Sequence, residues 1–142
     1  MNSSDLKKIT SFIDEHHVLS LATSNAKELS VCSLFYAYKE EELSFIVASS
    51  DETTHINHIK CNNLVAGNIL LETKEVGKIQ GLQFRGIMSE IQEKELKHFY
   101  FKSFPYAIAM NPKLWQIKVN YFKMTDNRLG FGKKIIWPGV FL

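Results

Sequence analysis

Apolar positions follow two different periods along this chain. Near the N-terminus they recur every three or four residues, which predicts an amphipathic helix over residues 4–15, capped near Ser3 or Ser4. The chain then changes to short runs of β-forming residues that polar turns separate. These runs predict strands over residues 18–23, 29–38, 43–48 and 64–72, with a short helix over residues 53–61.

The second half of the chain predicts longer elements. Residues 80–90 read as one strand, and Gly81 and Gly86 within it mark a bend, a bulge or the close approach of a ligand or another backbone. An amphipathic helix over residues 92–104 follows and ends at Pro105.

The last long strand, residues 114–125, changes phase part-way along. Its apolar side chains alternate from Trp115 to Tyr121, and then Phe122 and Met124 take the opposite phase. Such a change predicts a β-bulge near Tyr121.

Taken together, these elements predict a single domain over residues 1–142. A turn after the last long strand leads into residues 129–137. Six or seven strands in mostly antiparallel succession, with two or three helices, indicate a mainly β fold of the α+β class. The expected architecture is a small barrel with helical decorations.

A hydroxyl-rich turn joins the strand at residues 43–48 to the short helix. Its sequence from Ser49 to His55 is SSDETTH. The first N–H groups of a helix lack partners and lie at the positive end of the helix dipole, and hydroxyls and an imidazole add further donors. This arrangement suits a phosphate-bearing ligand. The same residue types also cap helices without any ligand, and this alternative stays open.

Composition and charge limit the classes of function that we expect for this chain. The chain has 142 residues, 45% of them hydrophobic and 23% charged, which is ordinary for one globular domain. Ten Phe, five Tyr and two Trp suit a β-rich core or a flat aromatic ligand. A formal net charge of +2 gives no argument for nucleic acid. Since no apolar run is long enough for a membrane helix and no signal peptide is recognisable, we expect no membrane association and a cytoplasmic location.

Three further features are weaker candidates for chemistry. His55 and His58 lie on one predicted helix, but no Cys or carboxylate completes a zinc pattern, so we expect no metal site and interpret His58 as a surface residue. The segment from Gly130 to Lys134, GFGKK, lacks the full spacing of a phosphate loop, although its lysines could reach an anion. No Ser–His–Asp or Cys–His set can be assembled, so catalytic residues stay unassigned.

The order of the elements resembles that of the pyridoxamine 5'-phosphate oxidase-like FMN-binding split barrels. The matching segments are LSVCSLFYAY, LSFIVASSDETTH, CNNLV, GLQFRGIMSEI, KSFP and LWQIKVNYFKMTDN. The C-terminal string TDNRLGFGKKIIW is similar to the signature of one bacterial branch, the YhbP family. The resemblance extends from the first helix to Trp137.

This resemblance implies a homodimer that holds FMN in a cleft between its subunits. It implies that the strand ending at Val47 and Ala48 lies along the flavin. Ser33 would then face the isoalloxazine edge, and Gln83 would face the flavin from the barrel.

For the phosphate of FMN, the resemblance implies contacts from Ser49, Thr53 and His55, with Lys133 reaching across the dimer interface. The chain departs from its relatives here. Many of them carry Arg or Lys at positions occupied in this chain by Val31, Thr54 and His55. A phosphate loses charge-assisted hydrogen bonds as a result, so binding is weak unless another cation replaces them. The candidate replacements are Arg85, Lys133 and Lys134.

The function that this resemblance implies is that of a flavin-dependent oxidoreductase acting on an unknown small molecule. In such an enzyme the cofactor carries the chemistry, so an obvious general base is not required. One alternative is a non-enzymatic flavin-binding, flavin-buffering or sensor module. Another keeps the barrel and exchanges FMN for haem or a deazaflavin.

Overall fold

Antiparallel strands wrap around an apolar core in the computed structural model, which describes residues 3–130 and 133–139. The helices of this part of the chain are α1 (Ser3–Glu15), α2 (Thr54–Cys61) and α3 (Lys94–Ser103). The strands are β1 (Val18–Ser24), β2 (Leu29–Phe35), β3 (Ala37–Lys39), β4 (Ser44–Ala48), β5 (Leu64–Leu71), β6 (Gln80–Glu90), β7 (Leu114–Asp126) and β8 (Lys134–Trp137). Among the described residues no helix is long and apolar enough to cross a membrane.

Seven of these strands follow one path through the sheet, in the order β2-β1-β5-β6-β7-β4-β3. The short strand β8 pairs with β7 off this path. The sheet curls far enough for β2 to contact β4, although the two strands do not pair within the described residues. The fold is therefore an antiparallel split barrel, as predicted. The described residues form eight strands rather than six or seven, because the predicted strand over residues 29–38 forms two strands, β2 and β3, while β8 lies within the predicted segment 129–137.

The apolar side chains that follow the two periods in the sequence face the core. Successive side chains of a strand face opposite sides of the sheet, so β1 and β6 bury alternate residues. The strand β4 differs, because its consecutive residues from Ser44 to Val47 are all buried. The helix α1 adds its apolar face to the same core. Its buried apolar side chains are Ile9, Phe12 and Ile13, which are among those that recur at helical spacing in the sequence.

The predicted strand over residues 29–38 is broken in the structure. It divides into β2 and β3 at Tyr36, which is buried. The N–H of Tyr36 donates to the carbonyl oxygen of His17 at 3.1 Å, and its hydroxyl donates to the carbonyl oxygen of Ile13. These hydrogen bonds to another part of the chain turn the backbone at Tyr36. The sequence, which has an unbroken run of β-forming residues here, gives no sign of this turn.

The predicted bulge near Tyr121 is confirmed. Arg85 pairs with Tyr121 and Gly86 pairs with Val119, so Asn120 is the extra residue of β7. A Cβ atom on Gly86 would lie 2.4 Å from the carbonyl oxygen of Lys118. Gly86 is thus required by the close approach of the neighbouring strand.

Candidate functional site

In the part of the chain that the structure describes, the end of β4 has a neighbouring strand on one side only. Within the described residues β3 pairs with Ser44–Ile46, whereas Val47 and Ala48 pair only with β7. Backbone groups of an antiparallel strand point alternately to its two edges. The N–H of Ser49 points toward β7, because it donates to the carbonyl oxygen of Lys113 at 3.1 Å. The N–H and C=O of Ala48 therefore point to the open edge, where the barrel is split.

Beyond β4 the chain forms a polar cluster at the N-terminus of α2. Thr53 caps the helix, since its Oγ1 accepts from the N–H of Ile56 at 3.3 Å. The same hydroxyl donates to the carbonyl oxygen of Ser50 at 2.9 Å. Nε2 of His55 lies 2.6 Å from Oγ of Ser49 and 3.4 Å from Oγ1 of Thr53. Three of the residues predicted for the phosphate site thus contact one another.

The imidazole of His55 is buried in this cluster. Burial lowers the pKa of His55 below its ordinary value, and the neighbouring His58 lowers it further. His55 is therefore neutral at neutral pH. It orients Ser49 but supplies no positive charge to an anion.

A cleft of about 430 Å³ lies in front of this cluster, and we call it the Ser49 cleft. Its walls come from the end of β4, the following turn and the residues just before β7. Its polar lining includes Ser49, Ser50, Asp51 and Lys113. Thr53 and His55 lie behind Ser49 rather than on the surface of the cleft.

Two lysines meet at this cleft, and sequence reasoning missed both. Nζ of Lys113 lies 2.9 Å from Oδ2 of Asp51, and Nζ of Lys60 lies 3.2 Å from Oδ1 of the same carboxylate. Hydrogen bonds from Lys113 and then Lys60 lower the pKa of Asp51, and the Asp51 carboxylate raises the pKa of Lys113. Pairing of β4 with β7 brings Lys113 here from a distant part of the sequence, so no local pattern could have indicated it.

Ser33 and Gln83 lie on the outer face of the sheet. Ser33 pairs with Ser20, Ser20 with Asn68, and Asn68 with Gln83, so the four form one polar row across β2, β1, β5 and β6. At the usual strand spacing, the ends of this row are about 14 Å apart. No hydrogen bond joins Ser33 or Gln83 to the Ser49 cleft in the described part of the chain.

The other predicted residues lie apart from the cluster. The side chain of Val47 is fully buried in the core, so a ligand could meet only its backbone. Lys133 is exposed and precedes β8, which pairs with the opposite end of β7 from Ala48. Arg85 lies over the ring of Tyr121 at 4.2 Å on the outer face. The predicted glycine loop includes Phe131 and Gly132, which are outside the described residues.

The interpretation of His58 as a surface residue is wrong. Its side chain is 1% exposed. Nδ1 lies 2.9 Å from Oγ1 of Thr23, and Nε2 lies 2.9 Å from Oε1 of Glu28. These partners are distant in sequence, so the hydrogen bonds of His58 connect α2 to β1 and to the turn after β1. Within residues 3–130 and 133–139, no group of three or more His, Cys, Asp or Glu side chains could hold a metal ion.

Comparison with known proteins finds similar sequences in bacteria. A UPF0306 protein of Photorhabdus laumondii is 33% identical over 129 residues, which are 89% of this chain and 90% of that protein. A UPF0306 protein of Yersinia pseudotuberculosis is 31% identical over 142 residues, 98% of this chain and 97% of that protein. No family model matches the chain.

Solved structures with low sequence identity share the split-barrel fold. A haem-binding protein of Mycobacterium smegmatis has a TM-score of 0.77 and 13% identity, over 96% of this chain and 58% of that one. A FAD-binding protein of Mesorhizobium loti has a TM-score of 0.70 and 14% identity, over 83% and 90%. A haem storage protein of Vibrio cholerae has a TM-score of 0.66 and 17% identity, over 80% and 89%.

Proposed function

This chain belongs to the UPF0306 family, and from that membership and its split barrel we propose that it binds FMN and acts as an FMN-dependent oxidoreductase on a small molecule. It would then be one of the pyridoxamine 5'-phosphate oxidase-like barrels. One observation carries the proposal. The open edge of β4 leads directly to a cleft whose end is lined by hydroxyls and a lysine.

The phosphate of FMN is proposed to lie in the Ser49 cleft. The hydroxyls of Ser49 and Ser50 are at its surface, and Thr53 and His55 hold the turn from behind. These donors suit phosphate oxygens. Because His55 is neutral, the site depends on hydroxyl and backbone donors together with nearby lysines.

The flavin ring is proposed to lie along the open edge of β4. There the backbone N–H and C=O of Ala48, which no neighbouring strand covers within the described residues, can meet the polar edge of the ring, with the main chain of Val47 beside them. When bound, FMN supplies the electron-transfer chemistry. The protein supplies position, orientation and a polar environment.

A homodimer is part of the proposal. Large apolar side chains are exposed on the outer face of the sheet, where Ser33 and Gln83 also lie. The exposed set includes Leu29, Val31, Phe35 and Leu64. An apolar face of this kind favours a partner, and a second copy of the chain would cover it. The same contact would bring Ser33, Gln83 and the partner's Lys133 toward the flavin.

The second candidate is a non-enzymatic module that binds a flavin or haem. It is favoured by the fold neighbours that bind or store haem. Neither His55 nor His58 is free to act as an iron ligand, because both rings are buried and hydrogen-bonded. Haem would therefore need an axial ligand from elsewhere on the surface.

The experiment that tests the proposal begins with the visible absorption spectrum of the freshly purified protein. A titration with FMN, followed by fluorescence quenching, then measures the affinity, with riboflavin as the ligand that lacks the phosphate. We expect FMN to bind more tightly than riboflavin and bound FMN to be reduced by NADPH. A haem absorption band, or tight flavin binding without turnover by any donor, would favour the second candidate. A colourless protein that ignores FMN would contradict the proposal.

A matched pair of variants locates the phosphate. Ser49→Ala removes the hydroxyl at the cleft and is expected to weaken FMN binding about fivefold, since one hydrogen bond contributes about 1 kcal/mol. Ser11→Ala removes an exposed hydroxyl on α1 and serves as the control. Riboflavin affinity should change little in either variant. Equal FMN affinity in both variants would place the phosphate elsewhere.

A further inference from the structure

The carboxylate of Asp51 lies between two lysines at the Ser49 cleft. Lys113 makes hydrogen bonds to both of its oxygens, at 3.1 Å to Oδ1 and 2.9 Å to Oδ2. Lys60 contacts Oδ1 at 3.2 Å. Glu52, the next residue, makes no ion pair with either lysine among the described residues.

We propose that Asp51 occupies the position of a phosphate group in this cleft, and that Lys60 and Lys113 bind a phosphomonoester dianion once the Asp51 carboxylate has moved away. The inference deepens the proposed function, since it names the cations of the same phosphate site. It concerns the class of phosphomonoesters and does not depend on the flavin.

The charges of the region support this assignment. The chain has no Lys or Arg between Lys39 and Lys60, so the turn and the first part of α2 carry no cation of their own. His55 is buried and orients Ser49 without adding charge. Lys60 and Lys113 both contact the carboxylate of Asp51 in the turn, and Lys113 also contacts Glu90 on β6. An anion with two charges satisfies two lysines better than a carboxylate with one.

The geometry allows Asp51 to leave. All three side chains are partly exposed to solvent, and ion pairs of this kind are weak because water screens them. The turn itself is fixed by other groups, since the hydroxyl of Thr53 and the N–H of Thr53 both bond to the carbonyl oxygen of Ser50. Rotation of the Asp51 side chain therefore breaks no bond that shapes the turn.

Lys113 stays in place when Asp51 moves. Its Nζ lies 3.4 Å from Oε1 of Glu90 and 5.5 Å from the centre of the Trp115 ring. The indole Nε1–H of Trp115 donates to the carbonyl oxygen of Ser49 at 2.9 Å. This hydrogen bond fixes the Trp115 ring, which Lys113 contacts, beside the cleft. The ammonium group is thus held at the cleft by contacts that are independent of Asp51.

The test compares Asp51→Asn with Glu52→Gln, which removes the same charge from a second residue of the cleft lining that makes no ion pair with either lysine among the described residues. The probe is inorganic phosphate at pH 7.5 and constant ionic strength, and the measured quantity is the melting temperature against phosphate concentration. We expect Asp51→Asn to bind phosphate about tenfold more tightly than the unaltered protein, because two charge-assisted contacts become available. Glu52→Gln should change the affinity less than about twofold.

A second variant shows whether the lysine is responsible. Asp51→Asn combined with Lys113→Gln should lose the gain in phosphate affinity. The proposal is overturned if Asp51→Asn binds phosphate no better than the unaltered protein, if Glu52→Gln gains equally, or if the double variant keeps the gain. Circular dichroism of each variant checks that the fold is intact.

An FMN titration of the same variants separates this proposal from the proposed function. A phosphate gain in Asp51→Asn without FMN binding by any variant would support the role of Asp51 and contradict the FMN assignment. Tight FMN binding that Asp51→Asn leaves unchanged would support FMN and overturn the role of Asp51.

Discussion

The Oγ atom of Ser49 lies 2.6 Å from Nε2 of His55, so the hydroxyl at the cleft surface is held by an imidazole buried behind it. This hydrogen bond between Ser49 and His55 joins the end of β4 to the first turn of α2. It fixes the orientation of Ser49 before any ligand arrives, and this preorganisation lowers the entropy cost of binding. His55 thus acts through Ser49 rather than by direct contact with a ligand.

Burial of His55 predicts a specific dependence of stability on pH. In the folded protein the pKa of His55 lies below its ordinary value of 6.5. Burial is the larger cause, and the neighbouring His58 is the smaller one. Between the folded and the ordinary pKa, the unfolded state binds more protons than the folded state. The free energy of unfolding should therefore fall as the pH is lowered through 6.5, and this contribution should stop falling below the folded pKa.

Urea unfolding between pH 8 and pH 5 measures this effect. His55→Gln, which keeps a hydrogen-bonding side chain near Ser49, should remove the part of the slope that His55 contributes. His98→Gln changes an exposed histidine on α3 and is the control. A slope that is the same in all three proteins would show that His55 titrates normally.

The cap of α2 gives a second prediction. Thr53→Ala removes the side chain that accepts from the N–H of Ile56, and the loss of such a cap costs about 1 kcal/mol of the free energy of unfolding. Thr53→Ser retains the hydroxyl and should retain most of the stability. Thr54→Ala alters the exposed next residue and should change stability by less than about 0.5 kcal/mol. Equal losses in Thr53→Ala and Thr54→Ala, measured by chemical unfolding, would contradict the capping role.

The sequence predicts the parts of the fold that depend on local periodicity. The strand–turn–helix unit around Ser49, the long strands and the bulge near Tyr121 all follow from the spacing of apolar residues, and the structure confirms them. Thr53 could be recognised as a cap because capping depends on residue type and on distance along the chain.

The missed features depend on contacts between distant parts of the chain. Tyr36 breaks a predicted strand because its partners are on and just after α1. His58 is buried because its partners lie on and after β1. Lys113 reaches Asp51 through the pairing of β4 with β7. Periodicity in one segment carries no information about such partners.

Gly81 and Gly86 both lie within β6, and the sequence gives them the same interpretation. We expect substitution to affect the stability of the protein differently at the two positions. A Cβ on Gly86 would lie 2.4 Å from the backbone oxygen of Lys118, which cannot move without disturbing β7. A Cβ on Gly81 would have its nearest neighbour, a methyl group of Leu70, at 3.6 Å. We expect Gly86→Ala to lower the free energy of unfolding by about 2–3 kcal/mol through overpacking. Gly81→Ala should be close to neutral, and thermal unfolding of the two variants compares them directly. A Gly86→Ala protein as stable as Gly81→Ala would mean that the strands can separate at the bulge without cost.

The outer face of the sheet gives the last prediction, which concerns the proposed dimer. Val31 is 72% exposed in the isolated chain, and pairing places it in one row with Ala22, Ala66 and Arg85. If a second copy covers this face, Val31→Glu places a carboxylate in the contact, where burying an unpaired charge is unfavourable. Light scattering on a sizing column should then give twice the chain mass of 16.3 kDa for the unaltered protein and a single chain mass for Val31→Glu. Val76→Glu adds the same charge at an exposed valine in the turn before β6 and should remain dimeric. An unaltered protein that elutes with the mass of one chain at micromolar concentration would rule out this dimer, and the flavin site would then have to be complete within one subunit.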